Sequence, residues 1–169
     1  PDAVTVFIGP CLAKKSEVKD QAIEGNADYV LTYSEIHAIM KAKNITLMPD
    51  EEYTYQESSI YGKRFAASGG VTAAVLQSLK ESEDEIDVKT CSGALECKKA
   101  LMLLKVGKLP EDFIEGMVCD GGCVGGPSSH QDQLLAKKPR EALLSQADDR
   151  GIHQNLENYD MDSFSMHRE

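Results

Sequence analysis

Two cysteines, four residues apart, stand in a glycine-rich segment of the chain. Cys119 and Cys123 flank Gly121 and Gly122, and two more glycines follow before Pro127. Glycines allow a backbone to approach a bulky inorganic group closely and to direct its amide N–H groups at that group. Thiolates are preferred ligands of zinc and of iron–sulfur clusters. The segment therefore predicts a metal site, and the alternative interpretation is a tight turn with two incidental cysteines.

A second candidate segment places a cysteine next to lysines. Cys11 follows Pro10, and Lys14 stands three residues after Cys11. A lysine near a thiol lowers its pKa, or donates hydrogen bonds to an anionic ligand. Glu17 is spaced to pair with Lys14 if the segment forms a helical turn. The alternative is a buried cysteine beside solvated lysines.

The other cysteines and the histidines carry a weaker signal. Cys91 and Cys97 fit no common ligand spacing, so we interpret both as structural. The four histidines form no metal-type spacing with one another or with cysteine. An odd count of five cysteines, without a recognisable signal peptide, argues against a disulfide framework. We therefore expect a reducing, cytoplasmic setting.

Short apolar runs alternate with helical periodicity along the chain. The patterns predict strands over 4–8, 29–32, 86–91 and 113–118, the first two of them buried. They predict helices over 35–43, 71–79 and 94–106, and a further helix with Pro139 in its first turn. Ser34 is the predicted N-cap of the helix over 35–43. The segment 48–61 is predicted to be a surface loop. This alternation indicates an α/β fold, with a mostly parallel sheet flanked by helices.

The predicted topology places three cysteines where ligands usually bind. In parallel sheets, ligands sit beyond the carboxyl ends of the strands. Cys11, Cys91 and Cys119 each stand at the end of a predicted strand. We expect a single α/β lobe over residues 1–169, with about 150–169 peripheral.

Composition excludes several classes of protein. The chain has 169 residues, is 41% hydrophobic and carries a net charge of −10. That apolar content excludes wholesale disorder, and the acidic surface disfavours binding to nucleic acid. No apolar run approaches the roughly 20 residues that a membrane-spanning helix needs. The length predicts a core that buries roughly 70% of the surface of the unfolded chain.

Two segments together resemble signature motifs of the iron-only ([FeFe]) hydrogenase large subunit, in its C-terminal catalytic domain. They are Pro10-Cys11-x-x-Lys14-Lys15-x-Glu17 and Glu115-x-Met117-x-Cys119-x-Gly121-Gly122-Cys123-x-x-Gly126. The segments 28–32 and 65–71, each of which precedes a helix, are also similar to that family. The resemblance runs in order from about residue 3 to residue 145.

The resemblance implies a cofactor and a role for each matching residue. The family's H-cluster joins a [4Fe–4S] cubane, through one cysteine, to a di-iron subcluster that carries CO, cyanide and a bridging dithiolate. Cys11, Cys119 and Cys123 are implied cubane ligands, and Cys123 would also bridge to the di-iron unit. Lys14 would donate a hydrogen bond to a cyanide, so Lys14 and Cys123 are the implied catalytic residues. The implied cofactor-binding positions are Pro10, Phe65, Gly69, Gly70, Met117, Gly121 and Gly122.

Some features depart from the family's pattern. The family's first motif, which supplies the remaining cubane cysteine and a proton-relay cysteine, is expected upstream of Pro1 in a longer polypeptide, here called the parent. Gly9 stands where active enzymes usually carry Met. The segments 71–73 and 125–129 also differ from the usual pattern. In these positions the sequence resembles the divergent HymC-like and sensory-type members of the family more than the fast catalytic enzymes.

These observations give one leading hypothesis. The chain would be part of a parent that interconverts protons and H2, or senses hydrogen or redox state, in an anaerobic cytoplasm. Its expected partners are the N-terminal remainder of the same polypeptide and a ferredoxin-type electron carrier, with no nucleic acid and no membrane. Alone, the chain is expected to be inactive, with an empty site and free thiols.

Two alternatives from other classes stay open. The first is an iron–sulfur assembly or recognition protein that binds a [4Fe–4S] cluster and lacks the di-iron subcluster. Lys14 and Cys123 argue against it, because the family uses both at the di-iron unit. The second is a binding module in which Cys119 and Cys123 hold zinc or act as a redox switch.

Overall fold

The protein is described here from a computed structural model, over residues 3–22, 26–46, 58–147, 150–157 and 159–163. The strands are β1 (Val6–Gly9), β2 (Tyr29–Thr32), β3 (Val88–Ser92) and β4 (Phe113–Met117). The helices are α1 (Lys14–Glu17), α2 (Tyr33–Ala42), α3 (Ile60–Lys63), α4 (Gly70–Glu81), α5 (Ala94–Lys105), α6 (Gln133–Leu144) and α7 (Ile152–Leu156). The predicted α/β class is confirmed.

The strands pair in parallel, as the alternation of strands and helices predicts. β1 pairs with β2, with Val6 opposite Tyr29. β3 pairs with β4, with Val88 opposite Phe113. Within the described residues the strands form two separate two-stranded sheets rather than one continuous sheet. The carboxyl end of β1 leads into the Cys11 segment, and the carboxyl end of β4 leads into the Cys119 segment.

Two helix starts differ from the sequence prediction. Thr32, and not Ser34, caps α2: its hydroxyl accepts the N–H of Glu35, and the Glu35 carboxylate accepts the N–H of Thr32. This reciprocal pair satisfies two N–H groups at the helix end, which favours the earlier start. α6 begins at Gln133, because the Asp132 carboxylate accepts the N–H of Leu134 at 2.8 Å. Pro139 therefore lies inside α6, where it supplies no N–H to the helix.

The predicted loop over 48–61 falls largely outside the described residues, and the short helix α3 begins before the loop was expected to end. Ser59 caps α3 by accepting the N–H of Gly62 at 3.3 Å.

The later segment 152–156 forms α7, which packs on α4. Glu81, the last residue of α4, accepts the N–H groups of Ile152 and His153 at 3.0 and 2.9 Å. Its carboxylate therefore caps α7.

The apolar core that the described residues form is small. Among the described residues the buried hydrophobic side chains are Val30, Ala74, Cys91 and Ala100. The prediction that 4–8 is a buried strand is wrong, because Val6, Phe7 and Ile8 are 39–46% exposed. No described helix is long and apolar enough to span a bilayer.

Lys15 links α1 to the first sheet. Its ammonium donates to the carbonyl oxygen of Val30 at 3.0 Å and to the carboxylate of Glu35 at 2.9 Å. The hydrogen bond from Lys15, together with those from Thr32, lowers the pKa of Glu35 from 4.5 to about 2. The α1 turn, which follows Cys11, is thus fastened to β2 and α2.

Replacing Lys15 by Met should raise the pKa of Glu35 from about 2 towards its ordinary value, which NMR titration of the side-chain carboxyl carbon measures. Because the folded pKa lies below the unfolded one, the stabilisation from Glu35 is present above pH 4.5 and is lost as the pH falls towards 2. Lys15→Met should reduce that acid-dependent loss. Lys19→Met, on an exposed side chain of the same segment, should leave the Glu35 pKa unchanged. An unaltered pKa in Lys15→Met contradicts the assignment.

Candidate functional site

The loop after β4 is closed by its own backbone. The N–H of Gly122 donates to the carbonyl oxygen of Cys119 at 3.0 Å, and the N–H of Gly126 donates to that of Cys123 at 2.9 Å. A 3-10 turn spans Cys123–Gly125. These bonds hold Cys119 and Cys123 in one compact loop, which we call the cysteine loop and define as residues 119–126.

The cysteine loop docks on the turn that precedes α4. The N–H of Ser68 donates to the carbonyl oxygen of Gly121 at 3.0 Å, and the N–H of Val124 donates to that of Ala66 at 2.9 Å. Gly122 has a φ of +93°, and a Cβ on it would lie 2.5 Å from the Ser68 nitrogen. Only a glycine fits here, because both the conformation and the space exclude a side chain.

The Cys11 segment joins the cysteine loop from the other side. The N–H of Ser128 donates to the carbonyl oxygen of Pro10 at 3.2 Å. A Cβ on Gly126 would lie 2.8 Å from that same oxygen. Pro10 and the end of the cysteine loop are therefore in direct backbone contact, and the two segments that the sequence singled out meet in the structure.

Three thiols and one ammonium form an electrostatic group at this junction. Burial raises the pKa of the Cys123 thiol, the neighbouring Cys11 and Cys119 raise it further, and Lys14 opposes the increase. All three cysteines are half-buried free thiols. No group of three or more His, Cys, Asp or Glu side chains within the described ranges is arranged to hold a single metal ion.

Lys14 forms the helical-turn pair that its spacing with Glu17 predicts. Its Nζ lies 2.7 Å from both carboxylate oxygens of Glu17. Nζ also lies 6.0 Å from the centroid of the Phe7 ring. An ammonium has three N–H donors, so the two bonds to Glu17 leave one for an anionic ligand.

The remaining predicted cofactor-binding residues are spread around the junction. Met117 is the last residue of β4, and its carbonyl oxygen accepts the N–H of Gly93 at 2.8 Å. Gly69 and Gly70 form the start of α4, behind the turn on which the cysteine loop docks. The Phe65 side chain borders a 320 Å³ cavity shared with Ser78 of α4 and Ile152 of α7. That cavity contains none of the five cysteines, so the cofactor role of Phe65 stays a prediction.

Cys91 lies in β3 and Cys97 in α5, outside both the Cys11 segment and the cysteine loop. Cys91 is inside β3 rather than beyond its end, and it is only 1% exposed. Burial raises the pKa of its thiol, and the nearby Cys97 raises it further. A buried cysteine of this kind behaves as a small apolar side chain, which agrees with the structural interpretation.

Two residues to which the sequence analysis gave no role also hold the site together. Ser92, at the end of β3, accepts the N–H of Gly121 at 2.8 Å through its hydroxyl oxygen. Glu115 of β4 is 4% exposed and contacts the start of α4. The available signal for Glu115 was its place in the Glu115-x-Met117-x-Cys119 motif, and no spacing rule pointed to Ser92.

The donor set fits an iron–sulfur cluster. Three thiols from two segments that contact each other lie beside a lysine, and soft thiolate ligands suit iron–sulfur chemistry. In a cubane each thiolate binds a different iron atom, so its ligands lie farther apart than those of a single ion. The glycine-lined contact between the loops lets backbone approach such a group closely.

Comparison with known proteins identifies the family. Residues 1–127 match the family model of the iron-only hydrogenase large subunit, C-terminal domain. The chain belongs to this family. It is 30% identical to the NADP-reducing hydrogenase subunit HndD of Solidesulfovibrio fructosivorans, over 92% of this chain and 33% of that protein. It is 28% identical to iron hydrogenase 1 of Clostridium pasteurianum, over 89% of this chain and 34% of that protein.

The fold agrees with the family. A solved structure of the [FeFe]-hydrogenase HydA(deltaEFG), described as revealing stepwise H-cluster assembly, superposes with a TM-score of 0.63 at 20% identity and covers 91% of this chain and 56% of the other. HydA1 of Chlamydomonas reinhardtii, as an E141Q variant, gives a TM-score of 0.61 at 20% identity, over 93% and 56% of the two chains. This chain spans about a third of the length of the curated relatives it matches.

Replacing Gly122 by Ala should destabilise the protein more than replacing Gly107 by Ala. Both glycines have a positive φ, which costs a side chain roughly 1–2 kcal/mol. A Cβ on Gly107 meets nothing within 4 Å, whereas one on Gly122 meets the backbone of Ser68 and Ala66. That overlap should add about 1–3 kcal/mol. Urea unfolding of the two variants measures the difference, and equal losses contradict the tight docking of the cysteine loop.

Proposed function

We propose that this chain forms part of the H-cluster domain of an iron-only hydrogenase and holds one side of the cofactor in the parent. When bound, the cofactor supplies the reversible chemistry 2H⁺ + 2e⁻ ⇌ H2. The observation that carries the proposal is the backbone contact that brings the segment of Cys11 and Lys14 against the cysteine loop with Cys119 and Cys123. Family membership supports it, and the parent's activity is part of the proposal because the chain spans only a third of its relatives.

The three cysteines would hold the cubane, and Cys123 would also bridge to the di-iron subcluster. Iron–sulfur clusters of the cubane type take four cysteine ligands. The fourth would come from the parent's first cysteine motif. Alone, this chain would offer three of four ligands and would be inactive.

Lys14 would hold an anionic ligand of the di-iron unit. Its remaining N–H donor would bind a cyanide nitrogen, while Glu17 fixes the side chain through two 2.7 Å contacts. A charge-assisted hydrogen bond of this kind is stronger and shorter than a neutral one. Lys14 would therefore orient the cofactor without carrying out a chemical step itself.

The arrangement favours a cluster over a single zinc ion. Zinc in structural sites takes four ligands around one atom. Within the described part of the chain, no such grouping of three or more candidate ligands occurs. Cys11 also belongs to the same electrostatic group as Cys119 and Cys123, which a two-cysteine zinc site does not explain.

The proposed partners follow from the open surface. The exposed apolar side chains of β1, Val6, Phe7 and Ile8, are suited to burial against the N-terminal remainder of the parent. A ferredoxin-type carrier would deliver electrons to the cubane. The proposed setting is an anaerobic cytoplasm. The role is catalysis or sensing, and the rate of H2 evolution by the matured parent distinguishes the two.

Replacing Cys123 by Ala in the matured parent should abolish H2 evolution and remove the di-iron unit, because the variant lacks the bridging thiolate. Changes in outer-sphere residues cost 10–100-fold in metal affinity or activity, and loss of a bridging ligand should exceed that range. Iron per chain and H2 evolution are the measurements.

Cys97→Ala is the matched control, because Cys97 is also half-buried but lies on α5. It should retain iron and activity. Equal losses in the two variants would show that the assignment of Cys123 is wrong. Stoichiometric zinc without iron in the wild-type parent would contradict the proposed cofactor.

A further inference from the structure

Glu115 is a buried carboxylate that connects three elements. Its Oε1 accepts the N–H of Gly69 at 2.9 Å, and its Oε2 accepts the N–H of Thr72 at 2.9 Å. Oε2 also accepts the hydroxyl of Thr72 at 2.5 Å. Because that hydroxyl donates to Glu115, its oxygen is free to accept from Thr90 of β3, 3.0 Å away. The chain of contacts therefore runs from β3 through α4 to β4.

The charge of Glu115 has no cationic partner in the ion pairs between described residues. A buried carboxylate is costly unless hydrogen bonds replace its hydration. Here two backbone N–H groups, one hydroxyl and the positive end of α4 supply that compensation. Gly69, at the N-cap position of α4, has no side chain to cap the helix. Glu115 thus caps α4 from a strand more than 40 residues away.

The two segments that Glu115 joins are the two that form the candidate site. β4 leads within two residues to Cys119, and α4 begins directly after the turn on which the cysteine loop docks. Ser68 and Val124 connect this turn and loop by backbone hydrogen bonds. Any change in the distance between β4 and the start of α4 must therefore change how the loop sits on the turn.

We propose that Glu115 is a positioning residue: it fixes the cysteine loop against the turn 64–70 and places its carboxylate, which accepts three hydrogen bonds, behind the start of α4. The positional part concerns this chain alone. The electrostatic part rests on the proposed function, because it requires an iron–sulfur cluster at the cysteines.

Hydrogen exchange on this chain tests the positional part. In Glu115→Gln the amides of segments 65–70 and 119–126 should exchange about tenfold faster. The substitution weakens the charge-assisted contact of β4 with the start of α4, and the turn 65–70 in turn holds the cysteine loop by backbone hydrogen bonds. Thr72→Val, which removes only the hydroxyl donor, should give a smaller increase at the same segments and keeps the test available if Glu115→Gln folds poorly.

Glu81→Gln is the matched control. Glu81 also caps a helix with two backbone N–H groups, but that helix is α7. Its replacement should accelerate exchange in 152–156 and leave the cysteine loop unchanged. Exchange at the wild-type rate in the cysteine loop of both Glu115→Gln and Thr72→Val overturns the proposal. Equal acceleration of the loop by Glu81→Gln also overturns it, because the effect is then global.

The midpoint potential of the cubane in the matured parent tests the electrostatic part. Charge near a cluster is one of the determinants of its potential. Removing a negative charge favours the reduced cluster, so Glu115→Gln should shift the potential to more positive values while Glu81→Gln does not. An unchanged potential in Glu115→Gln overturns this part. If the wild-type parent contains no cluster, the proposed function is wrong. The hydrogen-exchange result still tests whether Glu115 positions the cysteine loop.

Discussion

The docking of the cysteine loop on the turn before α4 is the contact on which the candidate site depends. It consists of two backbone hydrogen bonds, from Ser68 to Gly121 and from Val124 to Ala66. The contact is possible because Gly122 leaves room for the Ser68 backbone. Ser92 then holds Gly121 from the side of β3. Backbone hydrogen bonds thus set the position of the cysteine loop, and side chains such as Ser92 add to it. The positions of the Cys119 and Cys123 thiols depend on where this loop docks.

The strands determine where the two cysteine segments begin. β1 and β4 belong to separate two-stranded parallel sheets among the described residues, and each leads directly into a cysteine segment. Two-stranded sheets bury little apolar surface, and Val6, Phe7 and Ile8 remain partly exposed on β1. The chain therefore presents its ligand residues together with an uncovered apolar face. Both features support the proposal that another part of the parent completes the site.

Much of the fold was predictable from local patterns. β2, α5 and β4 lie within one residue of their predicted bounds, because apolar periodicity and Gly107 mark them clearly. The start of α6 was not predictable from Pro139, because the capping of Leu134 by Asp132 outweighs the preference of proline for the first turn. The exposure of β1 was not predicted, because an apolar run shows that a segment tends to be buried but does not show which surface covers it.

The sequence pointed to the cysteines and the lysine of the candidate site, but not to the residues that hold their segments in place. Cysteine spacing and glycine content identify the cysteine loop, and the Lys14–Glu17 spacing gives the observed pair. The contacts of Glu115 with Gly69 and Thr72 join positions more than 40 residues apart. No periodic pattern encodes such a separation. The role of Glu115 can be recognised only in the folded structure, where β4 lies against the start of α4.

The central claim is that these residues hold one side of an H-cluster in the parent. An infrared spectrum of the full-length parent, produced anaerobically with hydrogenase maturation proteins, tests it most directly in the CO and cyanide stretching region. The account predicts bands from both ligands. A parent that contains cubane iron but shows no such bands contradicts the account and places the protein with the iron–sulfur assembly class.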